Sequence, residues 1–310
     1  MTTIGKNTID LAVAFDWVYD KDFINLLKQD AEHEGLSVLI VSDANLSEII
    51  SAVKNQSLTI SALIDRASET SPHFCQLQNL LNIYGTYIVD PISQITWASD
   101  KATMHLEFIA NRLNTPYTII LDTFDDQNDI WLSSEDLACL GRPFIIKPAN
   151  TTGGGVGVVD GAESLHDVLA VRREFKKDKY LLQEKVRPLS TDGKRFWFRG
   201  IYAFGLVQCA WWDDCTHIYA GLNPYEVKQY GLTPLYRITK KIAGICGLSF
   251  FSTEIVLTES RKFVVVDYVN ESCDMRYQSS HADGVPDKII SNIISQVVKH
   301  IKKIFNTNRK

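Results

Sequence analysis

Phe144-Ile145-Ile146-Lys147-Pro148 carries an apolar run into a lysine, and Asn150-Thr151-Thr152-Gly153-Gly154-Gly155-Val156-Gly157 follows at once. Glycine lacks a Cβ and tolerates positive φ, so the N–H groups of such a loop can close on an anion. Lys147, at the end of the preceding run, adds a point charge beside that cradle. The chemistry this suits is binding the phosphates of a nucleoside triphosphate. β-like runs flank the loop on both sides, so it reads as a hairpin lid over the phosphates. It is not the strand-to-helix phosphate loop, because no Gly-Lys-Ser/Thr follows it. An ordinary glycine-rich turn has the same composition, and short glycine motifs match falsely. The rest of the chain must supply the weight.

The 310 residues, 45% of them hydrophobic, are enough for one large core or two to three smaller lobes. A net charge of −5 advertises no broad basic surface for nucleic acid or anionic membrane. Met1-Thr2-Thr3-Ile4-Gly5-Lys6 lacks the charged-then-apolar layout of a signal peptide, and no run is long and apolar enough to cross a bilayer. Six cysteines show no Cys-x-x-Cys spacing and read as reduced core residues. The expectation is a cytoplasmic protein. Cys215 and His217 are too few to make a zinc site.

The elements that must position the loop follow from apolar spacing. Strands are expected over 9–17, 37–42, 58–64 and 86–89, alternating with helices over 22–33, 46–53 and 74–83. These strands are continuous apolar runs, which predicts a parallel sheet covered on both faces. Asp100-Lys101 opens a helix through about Leu113, and Tyr117–Leu121 is a strand. Asp125–Asp129 is an acidic loop, and Ser134–Leu140 is a short helix with a Ser cap and Gly141 as its stop. After the glycine hairpin comes a helix over 162–175, whose Arg172, Arg173, Lys176 and Lys177 read as a solvated basic end. Strands are expected over 180–186, 195–204 and 206–212, a helix over 235–246, a hairpin over 250–268 and an amphipathic helix over 288–304.

The order and spacing of these pieces resemble the ATP-grasp superfamily, whose best-known members are carboxylate–amine ligases. The resemblance runs from the N-terminal α/β region through Asp100-Lys101, Asn114-Thr115-Pro116, Lys147-Pro148 and Leu182-Gln183-Glu184-Lys185-Val186 to Asp267-Tyr268-Val269-Asn270. It implies an α/β chain, α+β overall, with a parallel α/β domain ahead of a two-lobed ATP-grasp fold. The implied domains are 1–95, a central lobe with the lid over 96–182, and a C-terminal lobe with the metal site over 183–310.

Residue by residue, it implies that Lys101 and Lys147 hold the ATP phosphates and that Gly153, Gly154 and Gly155 form the lid tip. Gln183, Glu184, Lys185 and Val186 become the hinge against adenine, with the backbone at Glu184 and Val186 pairing to its edge. Asp267 and Asn270 are the implied metal ligands, with Glu254 as a third, for Mg2+ or Mn2+ in its place. Magnesium takes hard oxygen ligands, which carboxylates and an Asn amide supply.

One feature departs from the pattern. Asp267 and Asn270 are three apart where the family has two, and in a regular strand they would face opposite ways. A β-bulge near Tyr268 would restore the geometry; otherwise Asn270 ligates alone, or Glu271 or Asp274 joins in. The Pro or Gly that usually follows the Asn is absent.

Arg195 and Arg199 are four apart, so alternation puts both on one strand face with Trp197. Arginine there suits the γ-phosphate and the oxyanion of acyl transfer. Arg276 suits a substrate carboxylate, and Asp213, Asp214 and His217 an amine. The expected function is a Mg-ATP-dependent ligase joining a small-molecule carboxylate to an amine, of amino-acid or peptide type. The alternatives are a phosphotransferase acting on a small-molecule hydroxyl, and a non-catalytic ATP-binding regulatory module. The partners are small molecules rather than nucleic acid or membrane, and the amphipathic segments allow a homodimer.

Overall fold

The computed structural model describes residues 7–125, 130, 132–150 and 155–308. Most of the acidic loop Asp125–Asp129, the lid residues Gly153 and Gly154 and the segment Met1–Lys6 lie outside them.

A strand buried on both faces has no wet side on which to alternate, which is why apolar runs collect in covered parallel sheets. Strands β1 (Asn7–Phe15), β2 (Val38–Val41), β3 (Leu58–Arg66) and β4 (Tyr87–Val89) form an all-parallel sheet of order β2-β1-β3-β4. Helices α1 (Lys21–His33), α2 (Leu46–Lys54) and α3 (Cys75–Ile83) make the crossovers. Alternate residues of β1 feed two cores. Leu11 and Val13 pack with Phe23, Ile24 and Leu27 of α1, while Ala12 and Ala14 pack with Ile49 and Ile50 of α2.

Helix α4 (Ile92–Ser99), for which the sequence reading made no provision, leads into α5 (Lys101–Ala110). The Asp100 carboxylate caps α5 by accepting from the Thr103 N–H at 2.6 Å. The helix stops short of Leu113 because Arg112 adopts a left-handed φ of 58°.

The second sheet is antiparallel, in the order β5-β8-β6-β7. It comprises β5 (Thr118–Leu121), β6 (Phe144–Pro148), β7 (Val159–Ala162) and β8 (Tyr180–Glu184), with α6 (Ser134–Leu140) and α7 (Leu165–Val171) between them. The helix expected over 162–175 is α7 alone, begun by a capping box between Ser164 and Asp167. The solvated reading of its basic end fails at Arg172, which is buried and donates to the carbonyls of Asp122 at 2.6 Å and Thr123 at 3.0 Å. Two backbone acceptors left over by the end of β5 draw the guanidinium inward.

The third sheet has the order β13-β12-β11-β14-β15 and is also antiparallel. A small hairpin of β9 (Ser190–Thr191) and β10 (Lys194–Arg195) precedes it. Its strands are β11 (Trp197–Ala203), β12 (Leu206–Trp212), β13 (Tyr219–Gly221), β14 (Phe250–Leu257) and β15 (Phe263–Asn270), with α8 (Pro224–Gln229) and α9 (Thr233–Cys246) intervening. The single strand expected over Arg195–Phe204 is divided at the fully buried Phe196. Its N–H donates to the Leu189 carbonyl and its carbonyl accepts from the Leu257 N–H. Helix α10 (Asp287–Asn308) returns to pack on α1 and on the parallel sheet. Among the described residues no helix is long and apolar enough to cross a membrane.

Arg66 at the end of β3 joins the parallel sheet to the third sheet. It donates to both oxygens of Asp20 at 2.7 and 2.8 Å and to the Cys273 carbonyl at 2.8 Å. Its guanidinium lies 5.4 Å from the Phe23 ring centre and 5.8 Å from that of Phe250. Removing one partner of a buried pair strands the other charge, at about 3–5 kcal/mol. Asp20→Ala is therefore expected to destabilise the protein by about that amount, read as a lower urea midpoint. An unchanged midpoint would show that water reaches this joint.

Candidate active site

A cavity of about 430 Å³ opens between the two antiparallel sheets. The nucleotide, metal and arginine residues inferred from the sequence that fall within the described residues all border it: Lys101, Lys147, Gly155, Gln183, Glu184, Lys185, Val186, Arg195, Arg199, Glu254, Asp267, Asn270 and Arg276.

At one end, β6 delivers Lys147. Its ammonium is buried, donates to the Val266 carbonyl at 3.0 Å and stands 5.4 Å from the Tyr268 ring centre. Burial brings its pKa down to about 8, with Lys101 adding to that and Asp267 opposing it. Lys101 is the first residue of α5, where the helix N-terminus already favours an anion. Its backbone N–H donates to the Ala149 carbonyl at 3.1 Å, joining α5 to the stem of the lid. Asn150 fixes that stem. Its N–H donates to Asp178 at 3.0 Å and its side-chain amide to Asp100 at 3.0 Å. On the return side Gly157 has a φ of 73°, and a Cβ there would meet the Phe175 ring at 2.5 Å. Only glycine fits that position.

The hinge follows β8. The Glu184 N–H donates to the Tyr117 carbonyl at 3.0 Å, and the Glu184 carboxylate accepts from the Tyr117 N–H at 2.9 Å. Lys185 pairs with Asp160 at 2.7 Å. Gln183 borders the cavity while its side chain turns to the core. Its side chain is buried and its amide donates inward, to Thr118 Oγ1 at 2.9 Å and the Tyr268 hydroxyl at 2.8 Å.

Strand β15 contains a bulge of the kind that the three-residue spacing of Asp267 and Asn270 calls for. Glu254 lies opposite Asp267 and Ser252 opposite Asn270, so Tyr268 and Val269 together face the single residue Thr253. Tyr268 and Val269 both turn into the core, and Asp267 and Asn270 both reach the cavity. The Thr253 hydroxyl donates to the Asp267 carbonyl at 2.9 Å.

Burial works against the Asp267 charge, but Lys101, Lys147 and Arg199 outweigh it and hold the carboxyl below the usual range. Glu254 is shifted the other way. Burial raises its carboxyl more than Arg199 lowers it, and Asp267 adds to the rise. Arg199 pairs with Glu254 at 2.8 Å, and the Trp197 indole N–H donates to the other Glu254 oxygen at 2.9 Å. The Arg199 guanidinium lies 4.5 Å from the Trp212 ring centre, and its buried Nε has no hydrogen-bond partner among the described residues.

Two carboxylates and an amide oxygen are the hard donors that Mg2+ takes, and the carboxylates retain lone pairs beyond those in use. Lys101, Lys147 and Arg199 set three cations against the two carboxylates Glu254 and Asp267. This end of the cavity therefore fits a polyanion together with a divalent cation.

Past Arg199, the carboxylate clamp expected of Arg276 is filled from within the chain. Arg276 pairs with Asp274 at 2.6 Å and Asp283 at 2.8 Å, beside Trp17 and Tyr19. Its loop closes at Gly284, where a Cβ would lie 2.6 Å from the Arg276 carbonyl oxygen. Arg195 is bound to Asp214 at 2.7 Å, and His217 stacks on Trp212 with ring centres 5.6 Å apart. Asp213 does not line the cavity; it accepts from the N–H groups of Cys215 and Thr216 in its own turn. Trp212, Tyr219, Ser252 and Asp283 line the cavity without having been singled out from the sequence. Ser252 alone had a signal, two residues from Glu254 and so on its face.

No protein-family model matches the chain, and no curated protein matches it in sequence. Solved structures do match in three dimensions. A RimK-domain ATP-grasp protein from Sphaerobacter thermophilus is 18% identical with a TM-score of 0.62, over 93% of this chain and 98% of that one. The D-alanine–D-alanine ligase from Bacillus anthracis, complexed with ATP, is 14% identical with a TM-score of 0.62, over 94% and 98%. The ATP-grasp ligase PsnB, complexed with minimal precursor, Mg and ADP, is 10% identical with a TM-score of 0.58, over 93% and 98%. The chain has the ATP-grasp fold, an α/β architecture in which a parallel sheet accompanies antiparallel ones.

Lys147 must be protonated to attract a phosphate, and with its pKa near about 8 that proton is lost just above neutral pH. Nucleotide affinity is therefore expected to fall as the pH rises through about 8, approaching about tenfold per pH unit. Lys147→Met should bind weakly at every pH and lack this slope. Titrations with a fluorescent nucleotide across this range read it directly, and a flat wild-type profile would remove Lys147 from the phosphate site.

Proposed function

We propose that the protein is a Mg-ATP-dependent ligase that joins a carboxylate to an amine through an acyl phosphate. The observation that carries this reading is the single cavity. Its cationic end, with Lys101, Lys147 and Arg199, runs without a wall into the end bearing Arg276, Asp274 and Asp214. In this reading a triphosphate in the first end would turn its terminal phosphorus toward the second. The likeness in fold to ATP-grasp ligases supports the same reading.

In this reading the hinge backbone at Glu184 and Val186 holds adenine, and Lys101 and Lys147 neutralise the phosphates. Glu254, Asp267 and Asn270 would hold Mg2+, or Mn2+ in its place, which when bound neutralises the β- and γ-phosphates. The acceptor carboxylate attacks the γ-phosphorus and ADP leaves. The amine then attacks the acyl carbon and phosphate leaves. Arg199 would stabilise the oxyanion of that second step. Positioning and charge do the work, so no nucleophile on the protein is needed. All six cysteines are free thiols, which fits a reducing, cytoplasmic setting.

The test is ADP release with Mg-ATP over pooled amino acids, small peptides and small carboxylic acids. ADP and phosphate are expected in equal amounts, and only when carboxylate and amine are both present. Arg199→Met is expected to lower kcat by about a hundredfold to a thousandfold. ADP with a phosphorylated acceptor and no free phosphate would make the protein a phosphotransferase instead.

A further inference from the structure

We infer that Tyr268 is a positioning residue for the metal-facing pair: its buried hydroxyl, bonded to Gln183 and His105, holds the β15 bulge that turns both Asp267 and Asn270 into the cavity. The inference rests on the ATP reading above.

A bulge leaves its extra residue outside the ladder and disrupts the pairing around it. Something other than the ladder must then hold it in register. From the partner strand, Thr253 caps the Asp267 carbonyl at 2.9 Å. From the core side, Tyr268 is fully buried; its hydroxyl accepts from Gln183 Nε2 at 2.8 Å and lies 2.6 Å from His105 Nδ1. His105 is itself buried, and that burial, reinforced by Lys147, brings its pKa down to about 4. A neutral ring in the tautomer protonated at Nε2 accepts the tyrosine proton at Nδ1. An apolar side chain at 268 would fill the same space and fix nothing. The hydrogen-bonded hydroxyl, in a low-dielectric interior, tolerates one placement.

The partners of Tyr268 come from the elements that carry the nucleotide residues. Gln183 opens the hinge. His105 is one turn along α5 from Lys101. Lys147 stands over the tyrosine ring at 5.4 Å. Through one phenol, the strand bearing Asp267 and Asn270 is therefore registered against the hinge and both lysines. This also explains why the Gln183 amide faces the core instead of the base.

The experiment is Tyr268→Phe, which keeps the ring and removes only the hydroxyl. Binding of a fluorescent ATP analogue is titrated without metal and at increasing Mg2+, with melting temperature measured alongside. The Mg2+ concentration giving half-maximal binding is expected to rise about tenfold, the worth of one buried hydrogen bond. Affinity without metal is expected to stay as in wild type. An unchanged Mg2+ requirement, or equal losses with and without metal, would overturn the inference, since the second marks a general loss of packing. Should Tyr268→Phe fail to fold, Thr253→Val releases the same bulge from the other strand and is read by the same two outcomes. A wild type that binds no nucleotide would sink the ATP reading and this inference with it. A wild type that binds, matched by the variant, sinks the inference alone.

Discussion

Five charges converge at one end of the cavity: Lys101, Lys147 and Arg199 against Glu254 and Asp267. None of them is stable there alone, because removing a single ion from water costs several kcal/mol even after relaxation. Each is tolerable only while the others stay within a few ångströms. The two antiparallel sheets must therefore be held at a fixed separation, since the lysines arrive on α5 and β6 while Arg199, Glu254 and Asp267 arrive on β11, β14 and β15. The ammonium of Lys147 reaching the Val266 carbonyl across the gap is the shortest expression of that constraint. It also explains why the carboxyls of Glu254 and Asp267 shift in opposite directions though they face each other. Asp267 lies in the field of both lysines and Arg199, whereas Glu254 relies mainly on Arg199 against its burial.

The surroundings serve to keep this cluster in place. Asp178 and Asp100 hold the stem of the lid through Asn150, Glu184 holds the hinge to Tyr117, and Arg66 fastens the Cys273 carbonyl three residues beyond Asn270. Each is a charged group bonded to backbone or amide, the stronger kind of hydrogen bond, and each fixes a loop at the point where it leaves regular structure. The acceptor end is built differently. Its arginines are already matched by carboxylates, Arg195 by Asp214 and Arg276 by Asp274 and Asp283.

Much of this was legible in the sequence because it rests on local pattern. The parallel sheet follows from unbroken apolar strands, and the place of Lys147 near the end of β6 from the apolar run that leads into it. The bulge could be named as a remedy for the three-residue spacing, since Asp-Tyr-Val-Asn places two apolar residues between two polar ones where a strand should alternate. What escaped depends on partners distant in the chain. Arg172 reads as surface until the carbonyls of Asp122 and Thr123 are seen waiting for it. Gln183 reads as hinge until Tyr268, eighty-five positions away, claims its amide. Arg276 reads as an open clamp until the chain folds Asp283 back onto it. Helix α4 was missed because its eight residues carry a weak apolar stripe, with only Ile95 and Ala98 buried.

Helix α10 lies against α1 and covers the face of the parallel sheet that carries Leu11, Val13 and Ile64, through Ile290, Ile293, Val297 and Ile301. Strand β1 is thus covered in part by a helix made much later than itself. Until α10 is made, α1 covers this face without its neighbour, and apolar surface left partly uncovered is a site for aggregation. The order of translation therefore leaves the parallel sheet only partly covered until α10 appears, a stage at which a chaperone has apolar surface to protect.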